Sequence, residues 1–238
     1  DLPLSVGEAS RLEAKQFSQE VRLASNGEGA LTWVVGGIYF YGKNFQDFVY
    51  RDLGFNDFGP TAPFNRFNFL SFGTSKTRAL AAFGQFDYDL AKTDAGIPLI
   101  LTVGLRYTRD KKSGFNQLDY QLPLACGGSC GVISGPFSET WNRLTGKVGV
   151  SYQMDEDTML FASVARGYLA GGNITGLGNI YDPETLTSFD VGFKSRFMDD
   201  RVQLNVAAYH QRIKNLQVFI QSATQSGINN VDGTTNVN

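Results

Sequence analysis

Residues 184–197 read ETLTSFDVGFKSRF, and alternate positions in this stretch separate into two chemical classes. Phe189, Val191, Phe193 and Phe197 form one set, while Ser188, Asp190, Gly192, Lys194 and Arg196 form the other. A two-residue period marks an extended strand, because successive side chains leave a strand on opposite faces. The fold turns on which face meets water. In a half-buried soluble sheet the phenylalanines would form a core; in a membrane barrel they would meet lipid, and the charged set would line a wet lumen.

The same period recurs along the chain. Phe17, Val21 and Leu23 oppose Ser18, Glu20 and Arg22. Leu80, Ala82, Phe86, Tyr88 and Leu90 oppose Gln85, Asp87 and Asp89, with Phe83 on the polar side. Leu99, Leu101, Val103, Leu105 and Tyr107 oppose Thr102, Arg106, Thr108 and Asp110. Leu144, Val148, Val150 and Tyr152 oppose Arg143, Thr145, Lys147 and Ser151, and Val202, Leu204, Val206 and Ala208 oppose Gln203, Asn205 and Gln211. Two more segments, LTWVVGGIYFYG and TMLFASVARGYLAG, are strand-like in composition but apolar on both sides, so their faces stay unassigned. The count is eight or nine strands.

Composition agrees with an all-β chain. Among 238 residues there are 27 Gly, 10 Tyr and 19 Phe against 3 Met, a mixture that favours strands, turns and aromatic belts. No apolar run of about 18 residues could form a transmembrane helix. A net charge of −2 gives no overall electrostatic footprint for nucleic acid or an anionic membrane surface. The opening DLPLSVGEASRLEAKQ has neither a basic start nor an apolar core, so the reading expects no signal peptide.

The connections alternate in length. Short polar turns are expected at 25–29, 92–97, 154–157 and 198–200, and long connections at about 43–72, 112–138 and 170–183. In a meander, alternate connections lie at opposite ends of the sheet, so one end is trimmed and the other elaborated. That is the pattern of a transmembrane β-barrel, with short periplasmic turns and long outer loops. Most segments reach the roughly 9–11 residues a tilted strand needs to cross a bilayer. Tyr88, Tyr107, Tyr152, Tyr168 and Phe197 near strand ends suit interfacial girdles.

The segments FSQEVRLASNGEGALTWVVGGIYF, LTVGLRYTRDKK, GVSYQMDEDTMLFASVARGYLAGGN and YDPETLTSFDVGFKSRFMDDRVQLNVAAYHQRIKNLQV resemble barrel segments of TonB-dependent outer-membrane receptors. The resemblance implies an antiparallel meander belonging to a barrel of about 22 strands in the outer membrane of a Gram-negative bacterium. It also implies active import of scarce ligands such as ferric siderophores, energised by TonB through a plug domain. Nothing in the chain resembles that plug, so residues 1–238 are expected to be a partial transmembrane barrel, an open curved sheet. The alternatives are a small complete outer-membrane barrel with a structural or adhesive role and a soluble β-sandwich binding module.

Candidate site residues follow from the loops and strand tops. In 51–73, Arg51 and Arg66 are available for anionic groups, and Phe55 and Phe58 for stacking, at an extracellular mouth; packing of the loop on itself is the competing reading. The resemblance places Trp141, Arg166, Tyr168 and Asn173 at strand tops and loop starts, also at the mouth. Cys126 and Cys130 sit in ACGGSCG, where an oxidising exterior would favour a disulfide over free thiols or a metal pair. His210, the single histidine, follows the register of Val206 and Ala208 and is expected at an interface. Asp199 and Asp200 read as turn residues. No catalytic constellation, metal site or cofactor is expected, and the expected partners are membrane lipid, TonB and a small ligand, not nucleic acid.

Overall fold

The computed structural model describes residues 6–52, 68–121, 132–173, 180–221 and 226–237. Nine long strands form one antiparallel sheet: β1 (Val6–Ala24), β2 (Leu31–Asp52), β3 (Asn68–Asp89), β4 (Leu99–Gln121), β5 (Val132–Gln153), β6 (Thr158–Leu169), β9 (Glu184–Phe197), β10 (Val202–Gln221) and β11 (Ser226–Val237). Two short strands, β7 (Gly172–Asn173) and β8 (Ile180–Tyr181), pair with each other between β6 and β9. Each long strand bonds to the next in sequence, and β1 and β11 stand at the two edges. The sheet is an open meander.

Register settles the faces. Phe17, Val21 and Leu23 align with Tyr41, Gly37 and Val35, and these with Arg78, Ala82 and Gly84. Trp33, Val35 and Tyr39 therefore share the outward apolar face, while Val34, Ile38 and Phe40 point inward. On β6, Leu160, Ala162 and Val164 align with Phe193, Val191 and Phe189 and face outward. His210 is opposite Phe189 on this same face.

Among the described residues no second layer covers the apolar face. Phe189 is 45% exposed and Val191 57%, and Leu23, Leu105, Leu144 and Val148 are equally bare. Among the described residues the only well-buried apolar side chains are Ala81 and Trp141. A sheet this greasy on its uncovered side is stable only where hydrocarbon supplies the missing core.

The outward apolar face has a slanted upper limit that measures the strand tilt. On β1 the apolar residues give way to Lys15, and Lys15, Lys43, Lys76, Ser113 and Ser138 form one row across β1 to β5. On β10 the change comes at Arg212, whose row runs through Thr187 and Arg166 to Gly146. Gly146 lies eight residues along β5 from Ser138, so the limit descends eight residues over the seven strand steps from β1 to β10. With about 3.3 Å per residue and about 4.8 Å between strands, that slope is about 38°. Strands tilted by about 35–45°, as in membrane barrels, bring the limit level with a membrane plane. The lower limit slopes in the same sense, from Leu23 on β1 to Val202 on β10, ten residues below the row of Leu23.

Strand ends differ from the sequence reading. The short turns lie at one end, at 25–30, 90–98, 154–157 and 198–201. At the other end the expected long connections shrink, because 43–52, 68–72, 112–121 and 132–138 are paired strand. Beyond the apolar band both faces of a ribbon meet water, so the side chains no longer sort by period two even though backbone pairing continues.

Local chemistry explains the trimmed end. Met198, Asp199 and Asp200 all adopt positive φ, which Asp tolerates better than most residues, and Arg201 N–H closes the turn on Met198 O at 3.2 Å. Arg196 joins this turn to its neighbour through Asp200 at 3.1 Å and Asp157 at 3.3 Å.

Candidate ligand site on the inner wall

The lumen face is polar and braced. Thr102 donates to Asp87 at 2.5 Å, and Ser188 donates to Asp190 at 3.0 Å. Phe83, the apolar exception on this side, has the guanidinium groups of Arg22 and Arg106 each 6.0 Å from its ring centroid. Phe161 carries Lys194 in the same way at 5.9 Å. Aromatic faces thus hold cations in the lumen, and Arg22 pairs with Glu20 as well.

Above the apolar band, β5 parts from its neighbour. β5 bonds to β6 only over Gly146–Gln153, so among the described residues its upper half pairs with no strand on that flank. Residues 170–173 and 180–183, with the paired strands β7 and β8, fill the flank as a strap. Gly171 makes this possible, since a β-carbon there would lie 2.7 Å from Trp141 Cζ2 and against the Tyr181 carbonyl. Trp141 is buried beneath it.

The strap is tied on both sides. Toward β4, Asn116 donates to Asn173, and Tyr168 donates to Asp110 Oδ2. Toward β10 and β11, Gln217 Nε2 donates to Ala170 O at 3.3 Å and Asp182 O at 3.1 Å, and Asn230 Nδ2 donates to Asp182 O at 2.9 Å. Asn230 also bonds Asn215 O at 2.9 Å, where a bulge and a positive φ re-aim β10. Glu184 accepts from Gln217 N–H at 2.9 Å.

Three titratable groups of this frame are shifted by burial. The continuous apolar run on the outward face of β4 spans Leu99 to Tyr107, so Asp110 and Lys112 lie beyond the membrane band. Burial pushes the Asp110 carboxyl above the ordinary carboxylate range, against the opposing pull of Lys112 and Arg106. Burial pulls the Lys112 ammonium below its ordinary value, and Asp110 partly offsets this. Tyr181 is raised by burial.

The space between strap and wall is a groove of about 220 Å³ lined by Asn116, Ser134, Phe137, Asn173 and Ile180. Lower in the lumen a wider groove of about 460 Å³ runs past Lys147, Ser163, Asp190 and Lys194. Amide, hydroxyl, indole and cationic groups of this kind can hold a polar ligand by hydrogen bonds; among the described residues no cluster of three or more His, Cys, Asp or Glu could grip a bare metal ion.

Three residues picked out from sequence, Trp141, Tyr168 and Asn173, meet in this frame. Arg166 does not join them: it is exposed and shares the outward face with Val164, across the wall from Trp141. Arg51 lies within β2, paired with Gly7 and Asn68, not in a loop. Phe55, Phe58, Arg66, Cys126 and Cys130 fall outside the described residues. Asp110, Lys112, Asn116, Gln217 and Asn230 were not singled out from sequence, because each looks like one more polar residue of a strand until register gathers them.

A family model described as "TonB dependent receptor-like, beta-barrel" matches residues 6–238. The ferric yersiniabactin uptake receptor FyuA from Yersinia pestis superposes with a TM-score of 0.68 at 20% identity, over 90% of this chain and 31% of that one. The siderophore receptor PiuA from Acinetobacter baumannii gives 0.60 at 16% identity, over 89% of this chain and 33% of that one. The metal-pseudopaline receptor CntO of Pseudomonas aeruginosa is 30% identical over 78 residues, 33% of this chain and 11% of that protein. The chain thus spans about a third of these solved receptors.

Proposed function

Because this chain belongs to the TonB-dependent receptor β-barrel family, we propose that its nine strands form part of the wall of a larger barrel that imports a scarce metal chelate such as a ferric siderophore. The family consists of transport receptors of the Gram-negative outer membrane. Import would draw energy from TonB through a plug domain. We read the chain as a non-enzyme because its family is one of transport receptors.

The observation that carries the reading is the strapped inner-wall site of Trp141, Tyr168, Asn173 and Asn116 on the wet side of a sheet whose other side is bare and apolar. A soluble sandwich would need a cover for that apolar side. A small complete barrel would need β1 to bond β11, and among the described residues they stand at opposite edges.

The test is whole-cell uptake of iron-55 presented as a panel of siderophores, in cells whose own receptors are deleted. Expression of the receptor that carries these strands should support uptake of one chelate class only when TonB is present. TonB-independent uptake, or uptake of none by a receptor verified in the membrane, would overturn the proposal.

A further inference from the structure

The outward face above the apolar band carries an arrangement of charge that the transport reading does not use. Lys15, Lys43 and Lys76 stand directly opposite one another on β1, β2 and β3. Directly opposed residues have β-carbons about 4.5–5.5 Å apart, and like charges at that spacing destabilise a sheet. The next row down adds Arg78 opposite Lys111, and Arg109 stands one row below that. All six are exposed.

Acids do not balance them. On this face the nearest carboxylates among the described residues are Glu13, already paired with Arg11, and Asp47, directly opposite Arg11. No side-chain hydrogen bond or ion pair from Lys15, Lys43, Lys76, Arg109 or Lys111 occurs among the described residues; Arg78 rests over the Tyr41 ring at 6.0 Å. At the opposite end of the strands the sign reverses, with Asp155, Glu156, Asp157, Asp199 and Asp200 in the turns. A chain with a net charge of −2 thus presents a cationic patch at one membrane boundary and acidic turns at the other.

Height supplies the occupant. The patch begins where Phe17, Tyr39, Tyr41 and Tyr107 end the apolar face, and the limit it follows is level with the membrane once the strands are tilted by about 38°. A headgroup, not hydrocarbon or bulk water, lies at that level. Glu13, Lys15, Lys43, Phe45 and Thr74 also line a groove there of about 180 Å³, with a floor part cationic and part aromatic.

We propose that Lys15, Lys43 and Lys76, extended by Arg78, Arg109 and Lys111, form a binding site for the phosphate groups of phosphorylated glycolipid headgroups in the outer leaflet. One phosphate between adjacent lysines removes the like-charge repulsion of the row, so the lipid becomes a structural partner of the wall. The inference rests on the membrane placement alone and is independent of what the lumen transports.

The test uses the full-length receptor in neutral detergent, with bisphosphorylated lipid A, chemically dephosphorylated lipid A and inorganic phosphate as probes. Thermal unfolding and native mass spectrometry are the readouts. Bisphosphorylated lipid A should raise the Tm and remain bound, and the dephosphorylated form should do neither. The triple variant K15Q/K43Q/K76Q should bind roughly a hundredfold more weakly, and without lipid it should melt no lower than wild type because the repulsion is gone. Lys15→Arg, Lys43→Arg and Lys76→Arg together should restore binding. Equal stabilisation by both lipid forms, equal stabilisation by inorganic phosphate, or undiminished binding by the glutamine variant would each overturn the proposal.

Discussion

The ring of Phe83 lies where a side chain at Gly36 would stand. A β-carbon at Gly36 would come 2.7 Å from Phe83 Cζ and 2.6 Å from Val21 O. Gly192 repeats the arrangement, with Phe161 Cζ 2.6 Å away and the Val206 carbonyl closer still. In both places a lumen phenylalanine closes over a glycine on the neighbouring strand and offers its face to a cation.

Gly36→Ala is therefore expected to destabilise the wall by about 1–3 kcal/mol, the usual range for overpacking. Removing the ring should not rescue it, because the backbone oxygen of Val21 stays in place. Urea unfolding of G36A and of G36A/F83A in detergent measures this, and recovery in the double variant would show that only the ring matters.

The two faces of β9 should respond oppositely to charge. Val191 sits near the middle of the apolar band, so Val191→Arg is expected to cost about 2–4 kcal/mol in a bilayer. Asp190→Arg, one residue away on the wet face, should cost less than about 1 kcal/mol. Unfolding free energies in lipid vesicles report the difference, and equal costs would mean that the faces are misassigned.

Arg196 links two turns through half-exposed carboxylates, at 3.1 Å to Asp200 and 3.3 Å to Asp157. Exposed pairs of this sort contribute up to about 1 kcal/mol. Arg196→Gln should lower the Tm slightly at low salt and not at all in about 1 M salt, where the Debye length is about 3 Å.

Burial raises the Asp110 pKa on folding, which sets a sign for pH dependence. The stabilising contribution of the protonated form is complete below the unfolded carboxylate value and is lost as pH rises through the higher folded value. Asp110→Asn keeps an acceptor for Tyr168 and should gain stability relative to wild type as pH climbs from about 4. Tm profiles of both proteins against pH give the comparison; a difference that grows as pH falls would reverse the assignment.

The inner-wall site was legible only in part. The family resemblance placed Trp141, Tyr168 and Asn173 at strand tops and loop starts, and the strap brings them together with Asp110 and Asn116. Arg166 shares the alternation of Tyr168 on β6, but its side chain stays exposed beside Val164, whereas Tyr168 reaches Asp110 where β5 and β6 part. Gln217 and Asn230 gain their role from the bulge at Asn215, which leaves no period in the sequence.

Which side chains share a face of each strand was determined by the sequence itself, because alternation is a local property of an extended backbone. So was the all-β class, and with it the trimmed row of Asp- and Gly-bearing turns. Register between strands was decided only in the tertiary structure, since pairing residues tens of positions apart is a non-local choice. Register alone sets Lys15, Lys43 and Lys76 in one line, lays Phe83 over Gly36 and slopes the apolar limit by about 38°. A near-neutral sum of charges thus conceals a sheet that is cationic at one membrane boundary and acidic at the other.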